Sequence, residues 1–251
     1  MDITQTFYDK MAASYDKLFH DWEASVKEQA LIIDNIFRQN GFENSASVLD
    51  CACGIGTQSI GLASLGYSVT GSDISEAELC EAKKRAGKNN VNIRFEKADF
   101  CALEDTFCEL FDIVIAMDNA LPHMLSEDVL KTAVLSISKR IKKGGMFVAS
   151  IRDYDALIMD KPPYSPPYIH KTEKGKKVSF QTWDWEGDCY RLTQYIIADE
   201  EKTNAEKFEC KYRAVQRAEL TRLFISCGFK SAVWKFPDET GYYQPVMVAR
   251  K

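Results

Sequence analysis

Two acidic residues about two dozen positions apart, Asp50 and Asp73, bracket a glycine loop that reads Asp50-Cys51-Ala52-Cys53-Gly54-Ile55-Gly56. Glycine lets backbone approach a ligand closely. A carboxylate such as Asp73, at the tip of the neighbouring parallel strand, can accept hydrogen bonds from both ribose hydroxyls of an adenine cofactor laid across that loop. Nicotinamide, flavin and S-adenosylmethionine enzymes all use this physics. Dinucleotide sites, however, want a third Gly or Ala for close helix packing and a helix N-terminus free for pyrophosphate. Here the third position is Ser59, and the acidic Asp50 ahead of the loop suits a ligand carrying an amino group and a sulfonium. Further candidates follow later runs of apolar residues: Asp99 and Phe100, then Met117, Asp118, Asn119 and His123, then Arg152 and Tyr154. Eight cysteines without a CxxC pair, and only three histidines, argue against a metal site, so most of the thiols read as small apolar fillers.

The elements that must position these residues are legible in the apolar pattern. Val26, Ala30, Ile33 and Phe37 form one stripe of an early helix. Val48 and Leu49 make a short strand, and Ile60, Leu62 and Leu65 lie on the helix after the loop. Tyr67 to Gly71 forms a second strand ending near Asp73 and Ile74. Ser75 and Glu78 then read as a capping box, each satisfying the other's backbone donor, for a helix that stops near Gly87. A third strand from Val91 to Phe95 leads to Asp99, placed to accept from an adenine amino group. A fourth from Phe111 to Met117 is nearly continuous in apolar residues, as a strand covered on both faces should be. Ser126 caps a helix with Leu130, Ala133, Val134, Ile137 and Ile141 inward, and Met146 to Ile151 forms strand five. The four prolines between Lys161 and Tyr168 predict a stiff extended loop. Val178–Trp185, Cys189–Ala198 and Ala205–Val215 then alternate as an antiparallel meander, with turns at Glu186-Gly187-Asp188 and around Thr203-Asn204. Trp183, Trp185, Tyr190 and Tyr195 can line a cage for a cationic or aromatic substrate or pack across strands. A helix from Gln216 to Cys227 and a hairpin of Phe229–Phe236 with Gln244–Arg250 close the chain, with Tyr242 and Tyr243 in the loop.

At 251 residues and 45% hydrophobic content the chain can bury one large core. The expected organisation is a single domain: a helical lid at 1–45, a core from 46–152 and 216–251, and an antiparallel cover at 153–215. A net charge of −5 supplies no global basic field for nucleic acid or anionic lipid, and the basic run from Lys171 to Lys177 reads as a solvated turn. No apolar stretch approaches the roughly twenty residues of a membrane span, and no signal pattern opens the chain, so a cytoplasmic location is expected.

The segment Asp50 to Gly56 resembles the nucleotide loop of the S-adenosylmethionine-dependent methyltransferases with a Rossmann-like fold. Phe7 to Asp16 and Trp22 are similar to the N-terminal lid of the small-molecule members, in which Tyr and Trp close over the cofactor. Asn119 and His123 resemble the segment of glycine and sarcosine N-methyltransferases that holds the methionine portion and the substrate amine. Arg152-Asp153-Tyr154-Asp155 is similar to their His-Arg-Asn-Tyr-Asp signature, whose arginine clamps the substrate carboxylate, with Ile151 in place of the histidine and Asp153 in place of the asparagine.

This resemblance implies an α/β fold: a seven-stranded, mostly parallel sheet with helices on both faces, an antiparallel final strand, a helical lid and an antiparallel insertion after strand five. It implies S-adenosylmethionine as cofactor and S-adenosylhomocysteine as product. Cofactor contacts are expected from Tyr15 and Trp22 in the lid, from Asp50, Cys51, Ala52, Cys53, Gly54 and Gly56 in the loop, and from Asp73 and Ile74. Asp99, Phe100, Met117, Asp118 and His123 complete that set. Asn119, His123, Arg152 and Tyr154 are the expected catalytic residues. The implied acceptor is a small molecule, an amine or amino-acid-like nitrogen, with no metal, nucleic-acid or membrane partner and a monomer or homodimer as the assembly. O- or S-methyl transfer, an NAD(P)-linked oxidoreductase and a non-catalytic S-adenosylmethionine-binding protein are the alternatives.

Overall fold

A computed structural model describes residues 3–172, 175–198 and 205–251. Strand β1 (Ser47–Asp50) lies between β2 (Ser68–Asp73) and β4 (Phe111–Ala116), parallel to both. Beyond β2 runs β3 (Arg94–Lys97), and beyond β4 runs β5 (Ile141–Ser150), both parallel to their neighbours. The last two strands of the chain, β10 (Ser231–Lys235) and β11 (Val246–Arg250), complete a seven-stranded sheet of order β10-β11-β5-β4-β1-β2-β3, in which β11 is antiparallel to both of its partners. The strand order reverses between β1 and β4. Ligands in such sheets bind there, outside the carboxyl ends of the strands.

Period-two alternation sends the apolar side chains to opposite faces. Val48, Ile113, Ile115 and Val148 meet Ile33, Ile36 and Phe37 of helix α2 (Trp22–Gln39) on one side. Leu49, Val114, Phe147 and Ala149 meet Leu130, Val134 and Ile137 of α5 (Glu127–Arg140) and Phe224 of α7 (Arg217–Ser226) on the other. Fully burying each such side chain stabilises the fold by about 1.5–3 kcal/mol, and both faces of the central strands are covered.

A second, antiparallel sheet follows strand five. It contains β6 (Tyr168–Thr172), β7 (Gly175–Glu186), β8 (Cys189–Ala198) and β9 (Glu206–Arg213) in that order. The three-strand meander expected from the alternation is therefore four-stranded. The four prolines remove amide donors and keep the chain extended, so before Tyr168 it meets β7 only at isolated points such as the Tyr164–Thr182 bridge and the Ser165 amide to the Gln181 carbonyl, and continuous pairing starts at Tyr168. The turn expected around Thr203-Asn204 lies outside the described residues. Helix α1 (Ile3–Met11) packs against β9 and against α4 (Glu76–Lys88), bringing the first turns of the chain across the carboxyl edge of the parallel sheet. A 3-10 helix, Ala12–Leu18, continues it. Among the described residues no helix is long and apolar enough to cross a membrane.

Other boundaries move for reasons of pairing. β3 starts at Arg94 rather than Val91 because its register runs Thr70 with Arg94 to Asp73 with Lys97, matching the end of a β2 that extends to Asp73 itself. β5 starts at Ile141, directly after α5, with a register shift opposite Phe111 and Ile113. A short helix not foreseen in the sequence, α6 (Tyr154–Asp160), follows strand five and is capped by the Asp153 carboxylate.

Helix α3 (Thr57–Ser64) crosses α2 closely: a Cβ at Gly61 would lie 2.6 Å from the Val26 carbonyl and from Ala30 Cβ. Gly87, exposed in the last turn of α4, has nothing within 4 Å. Gly61→Ala should therefore destabilise the protein by about 1–3 kcal/mol through overpacking, whereas Gly87→Ala should stabilise it by about 0.5–1 kcal/mol through helix propensity. Urea midpoints of the two variants should move in opposite directions.

Candidate active site

The loop after β1 is held to the end of β2 by a carboxylate. Asp73 Oδ2 accepts from the Gly54 amide at 2.9 Å, and Oδ1 accepts from the Ser75 amide at 2.9 Å. Gly54 turns there at φ +52°, and Gly56 begins α3. Burial raises the Asp73 pKa, and the backbone donors offset only part of that rise. Asp50, 1% exposed at the end of β1, accepts from the Ser59 hydroxyl at 2.7 Å on Oδ2, while its Oδ1 has no partner among the described residues. Burial pushes its carboxyl up to about 7. Ser59, which occupies the position a dinucleotide site gives to glycine, thus serves as a donor to Asp50. Cys51 and Cys53 are buried beside the loop, and burial raises both thiols well above the ordinary range, so neither supplies a thiolate.

A cavity of about 370 Å³ opens above this loop at the ends of β1, β2 and β4. Tyr8, Tyr15, Cys51 to Gly54, Asp73, Ile74, Glu78, Asp99, Phe100, Met117, Asp118 and His123 are among its walls. Ile74, Ala98, Phe100, Met124, Leu125 and Val129 supply apolar surface suited to a flat base. Among the described residues the lining contains four carboxyl groups and no Lys or Arg. That set, with the orphaned Oδ1 of Asp50 behind the loop, fits a cationic adenosyl compound and opposes a pyrophosphate. Asp99 stands at the rim, exposed, with Oδ1 accepting from the Cys101 amide at 2.8 Å. Trp22, expected over the cofactor, lines neither this cavity nor the next. It is buried under the loop with Ile55 and Ile60, donates to Thr57 at 3.0 Å and stacks on Arg85, because the start of α2 is tied to α3.

A second cavity of about 540 Å³ lies between the lid, the antiparallel sheet and the loop before β11. Tyr8, Tyr15 and Asp118 line both cavities and so mark where they meet. Asp118 and Asn119 are consecutive left-handed residues, at φ +55° and +72°. Such conformations cost roughly 1–3 kcal/mol each and persist only where the surroundings impose them. Here Ser150 does so: its hydroxyl accepts from the Asp118 amide at 2.8 Å and its carbonyl from the Asn119 amide at 3.0 Å.

The Asp118 carboxylate accepts from Gln58 at 2.8 Å, from Tyr243 at 2.7 Å and from Tyr242. Asn119 accepts from the Arg152 amide at 3.1 Å and donates to the Tyr154 hydroxyl at 2.9 Å. Tyr154 is fully buried and lines neither cavity, so its place is to hold Asn119 and, through Tyr190, the Arg152 side chain. His123 Nδ1 lies 3.2 Å from the Lys211 carbonyl, which can only accept, so that nitrogen carries the proton. In the neutral ring Nε2 then accepts from the Tyr8 hydroxyl at 2.8 Å.

The Arg152 guanidinium faces the second cavity, donating to Tyr190 at 3.1 Å and Gln181 at 3.0 Å, over the rings of Trp183 and Tyr212. Asp153 and Asp155, the nearest carboxylates in sequence, pair with Arg217. Among the described residues no carboxylate forms an ion pair with Arg152. Of the aromatic residues considered for a cage, only Trp183 reaches the cavity: Trp185 donates to the Pro162 carbonyl, Tyr195 stacks on Phe180, and Tyr190 lies behind Arg152. Gln58, Gln181, Gln194 and Glu78 carried no chemical signal in the sequence, because amides and a helix-cap glutamate occur everywhere on protein surfaces.

Residues 48–145 match the methyltransferase domain family. A glycine/sarcosine N-methyltransferase from Parasynechococcus marenigrum is 27% identical over 154 residues, 61% of this chain and 53% of that protein. The chain thus spans about half the length of the relative it matches. Among solved structures, the CcbJ methyltransferase from Streptomyces caelestis shares the fold with a TM-score of 0.77 at 19% identity, covering 100% of this chain and 99% of the other. An amino pentose methyltransferase from Micromonospora echinaspora, with S-adenosylmethionine bound, shares it with a TM-score of 0.73 at 17% identity over 95% and 94% of the two chains. Residues 48–145 are thus similar to the methyltransferase domain, and the strand order and two-sheet architecture are shared with solved Rossmann-like methyltransferase structures.

Proposed function

We propose that the protein transfers a methyl group from S-adenosylmethionine to the nitrogen of a small amine that also carries a carboxylate or a comparable anionic group. The observation that carries this reading is Arg152, a guanidinium in the second cavity with no acidic partner among the described residues. A cation so placed calls for an anion from the ligand. Asp118 stands where the two cavities meet and attracts a cationic amine. Support for nitrogen comes also from the glycine/sarcosine and amino pentose substrates named for the relatives above. The two departures from the arginine signature leave Arg152 in place, since Ile151 is buried in the core and Asp153 caps α6. Gln181, Gln194, Ser165 and Ser179 add polar lining to a cavity roomier than glycine needs, which favours a larger, polar acceptor.

When bound, the cofactor supplies a methyl carbon already made electrophilic by its sulfonium. Alignment is therefore the main task of the protein, worth about 7–11 kcal/mol of barrier, against the 10²- to 10⁴-fold typical of a general base. Tyr8, Tyr15 and Asp118 form the collar through which acceptor and cofactor meet. An ammonium must lose one proton to attack. Tyr8 can take that proton on its oxygen while passing its own to His123 Nε2, which the Lys211 carbonyl holds in the accepting tautomer. The lid and the antiparallel sheet keep water from the junction.

Amines with and without a carboxylate, assayed by release of S-adenosylhomocysteine, test the reading. The carboxylated member of each pair should be turned over faster. Arg152→Met should lower its kcat/KM by about 10- to 150-fold, equivalent to one charged hydrogen bond of 1.5–3 kcal/mol, while leaving the neutral amine and cofactor affinity unchanged. Equal loss on both amines would make Arg152 structural, and turnover of matched phenols or thiols but not amines would refute the nitrogen assignment.

Asp50 adds a stability signature. Its pKa is raised from an ordinary 3.8 to about 7 in the folded protein, so folding opposes its ionisation and stability is lost as pH rises from about 4 to 7. Asp50→Asn removes that penalty but places an amide where Oδ1 has no partner. The variant should be about 1–3 kcal/mol more stable than the parent at pH 8 and less stable at pH 4, as read by chemical denaturation without cofactor.

A further inference from the structure

Glu78 sits in the first turn of α4, where the Ser75/Glu78 pattern calls for a reciprocal capping box. Only half of the box forms. The Glu78 amide donates to Ser75 Oγ at 3.2 Å, but the Ser75 amide, which the glutamate should accept from, is taken by Asp73 Oδ1. Asp9 of α1 adds a second intruder, accepting from the Ser75 hydroxyl at 2.6 Å and from the Ala77 amide at 3.4 Å. The Ser75 and Ala77 amides at this helix start are therefore occupied by other carboxylates. The side chain turns instead into the first cavity, 1% exposed, with Oε1 lacking any partner among the described residues. Its Oε2 presses so closely on the glycine loop that a Cβ at Gly54 would lie 2.8 Å away.

A buried carboxyl without a hydrogen bond is costly, and native proteins rarely keep one without use. Burial, with Asp73 and Asp9 close by, raises its pKa above the usual carboxylate range; its oxygens can accept from a ligand hydroxyl, and when protonated the group can also donate. Its neighbour Asp73 is the ribose carboxylate of the cofactor reading, and a ribose offers two adjacent hydroxyls, each able to donate and accept. We propose that Glu78 is a second ribose-binding carboxyl, which together with Asp73 clasps the vicinal diol of the cofactor. This rests on the cofactor assignment above. The clasp gives a use to a glutamate standing at a buried position that has no structural partner for it.

Titration calorimetry on the whole chain, with S-adenosylmethionine and S-adenosylhomocysteine as the probes, tests the clasp. Glu78→Leu keeps the bulk and removes both polar atoms; Glu78→Gln keeps a donor and an acceptor. Leucine should weaken both ligands by the same factor, about tenfold for the lost hydrogen bond, because both carry the ribose. Glutamine should bind within about threefold of the parent. With analogues of S-adenosylhomocysteine lacking the 2′- or the 3′-hydroxyl, the leucine penalty should vanish for one of the two. Unfolding of the leucine variant without ligand should occur at or above the parent temperature, since an unpartnered acid is replaced by an apolar group. Unchanged affinity in the leucine variant overturns the proposal. So does weakening of S-adenosylmethionine alone, which would mean that the carboxyl senses the sulfonium, or a penalty that survives removal of either hydroxyl. If the parent protein itself fails to bind S-adenosylhomocysteine, the cofactor assignment falls and the clasp with it.

Discussion

The Asp73 carboxylate is the pin on which the site turns. With one oxygen it holds the Gly54 amide and with the other the Ser75 amide, so a single side chain joins the loop after β1 to the start of α4. That bond sets the mouth of the first cavity, orients the remaining lone pairs of Asp73 toward whatever lies there, and displaces Glu78 from its expected capping partner. Such a bridge is charge-assisted and shielded from water, where it is stronger than on a surface. The same loop holds Asp50 at about 7 with one oxygen unsatisfied. Burial thus places carboxyl groups with raised pKa values around this loop, at a cost in stability.

The acceptor side is built by a different device. Asp118 and Asn119 adopt consecutive left-handed conformations, and the cost is met by Ser150 on the next strand and by Gln58, Tyr242 and Tyr243 around the carboxylate. The kink separates two adjacent side chains by role. Asp118 reaches the junction of the cavities, and Asn119 turns back to brace Arg152 and Tyr154. Arg152 is satisfied geometrically by hydroxyl, amide and aromatic faces, but not electrostatically. That imbalance is the ground for proposing an anionic group in the second cavity, whereas the first is walled by four carboxyl groups among the described residues.

Much of this was legible in the residues. The glycine loop, the Asp50 to Asp73 spacing, the alternation of the strands and the stripes of the helices all follow from local period and turn chemistry, which act over a few residues. The corrections arise where distant segments compete for the same group. β3 slid to Arg94 because β2 dictated its register. The Pro-rich loop gained a strand because β7 offered it an open edge. Trp22 lies away from the cavity at the glycine loop because Thr57 and Arg85 captured it.

By itself, then, the sequence determined the parallel core, the glycine loop after the first strand and the acidic residue that pins it, because each is written in contiguous residues with a distinctive period. Only the tertiary structure decided the rest. It showed that Arg217, on a helix far along the chain, relieves Arg152 of Asp153 and Asp155, that Lys211 selects the tautomer of His123, and that Asp9 and Asp73 leave Glu78 unpaired. Each of these is a contest for one hydrogen bond or one charge between segments remote along the chain, and no local pattern records who wins it.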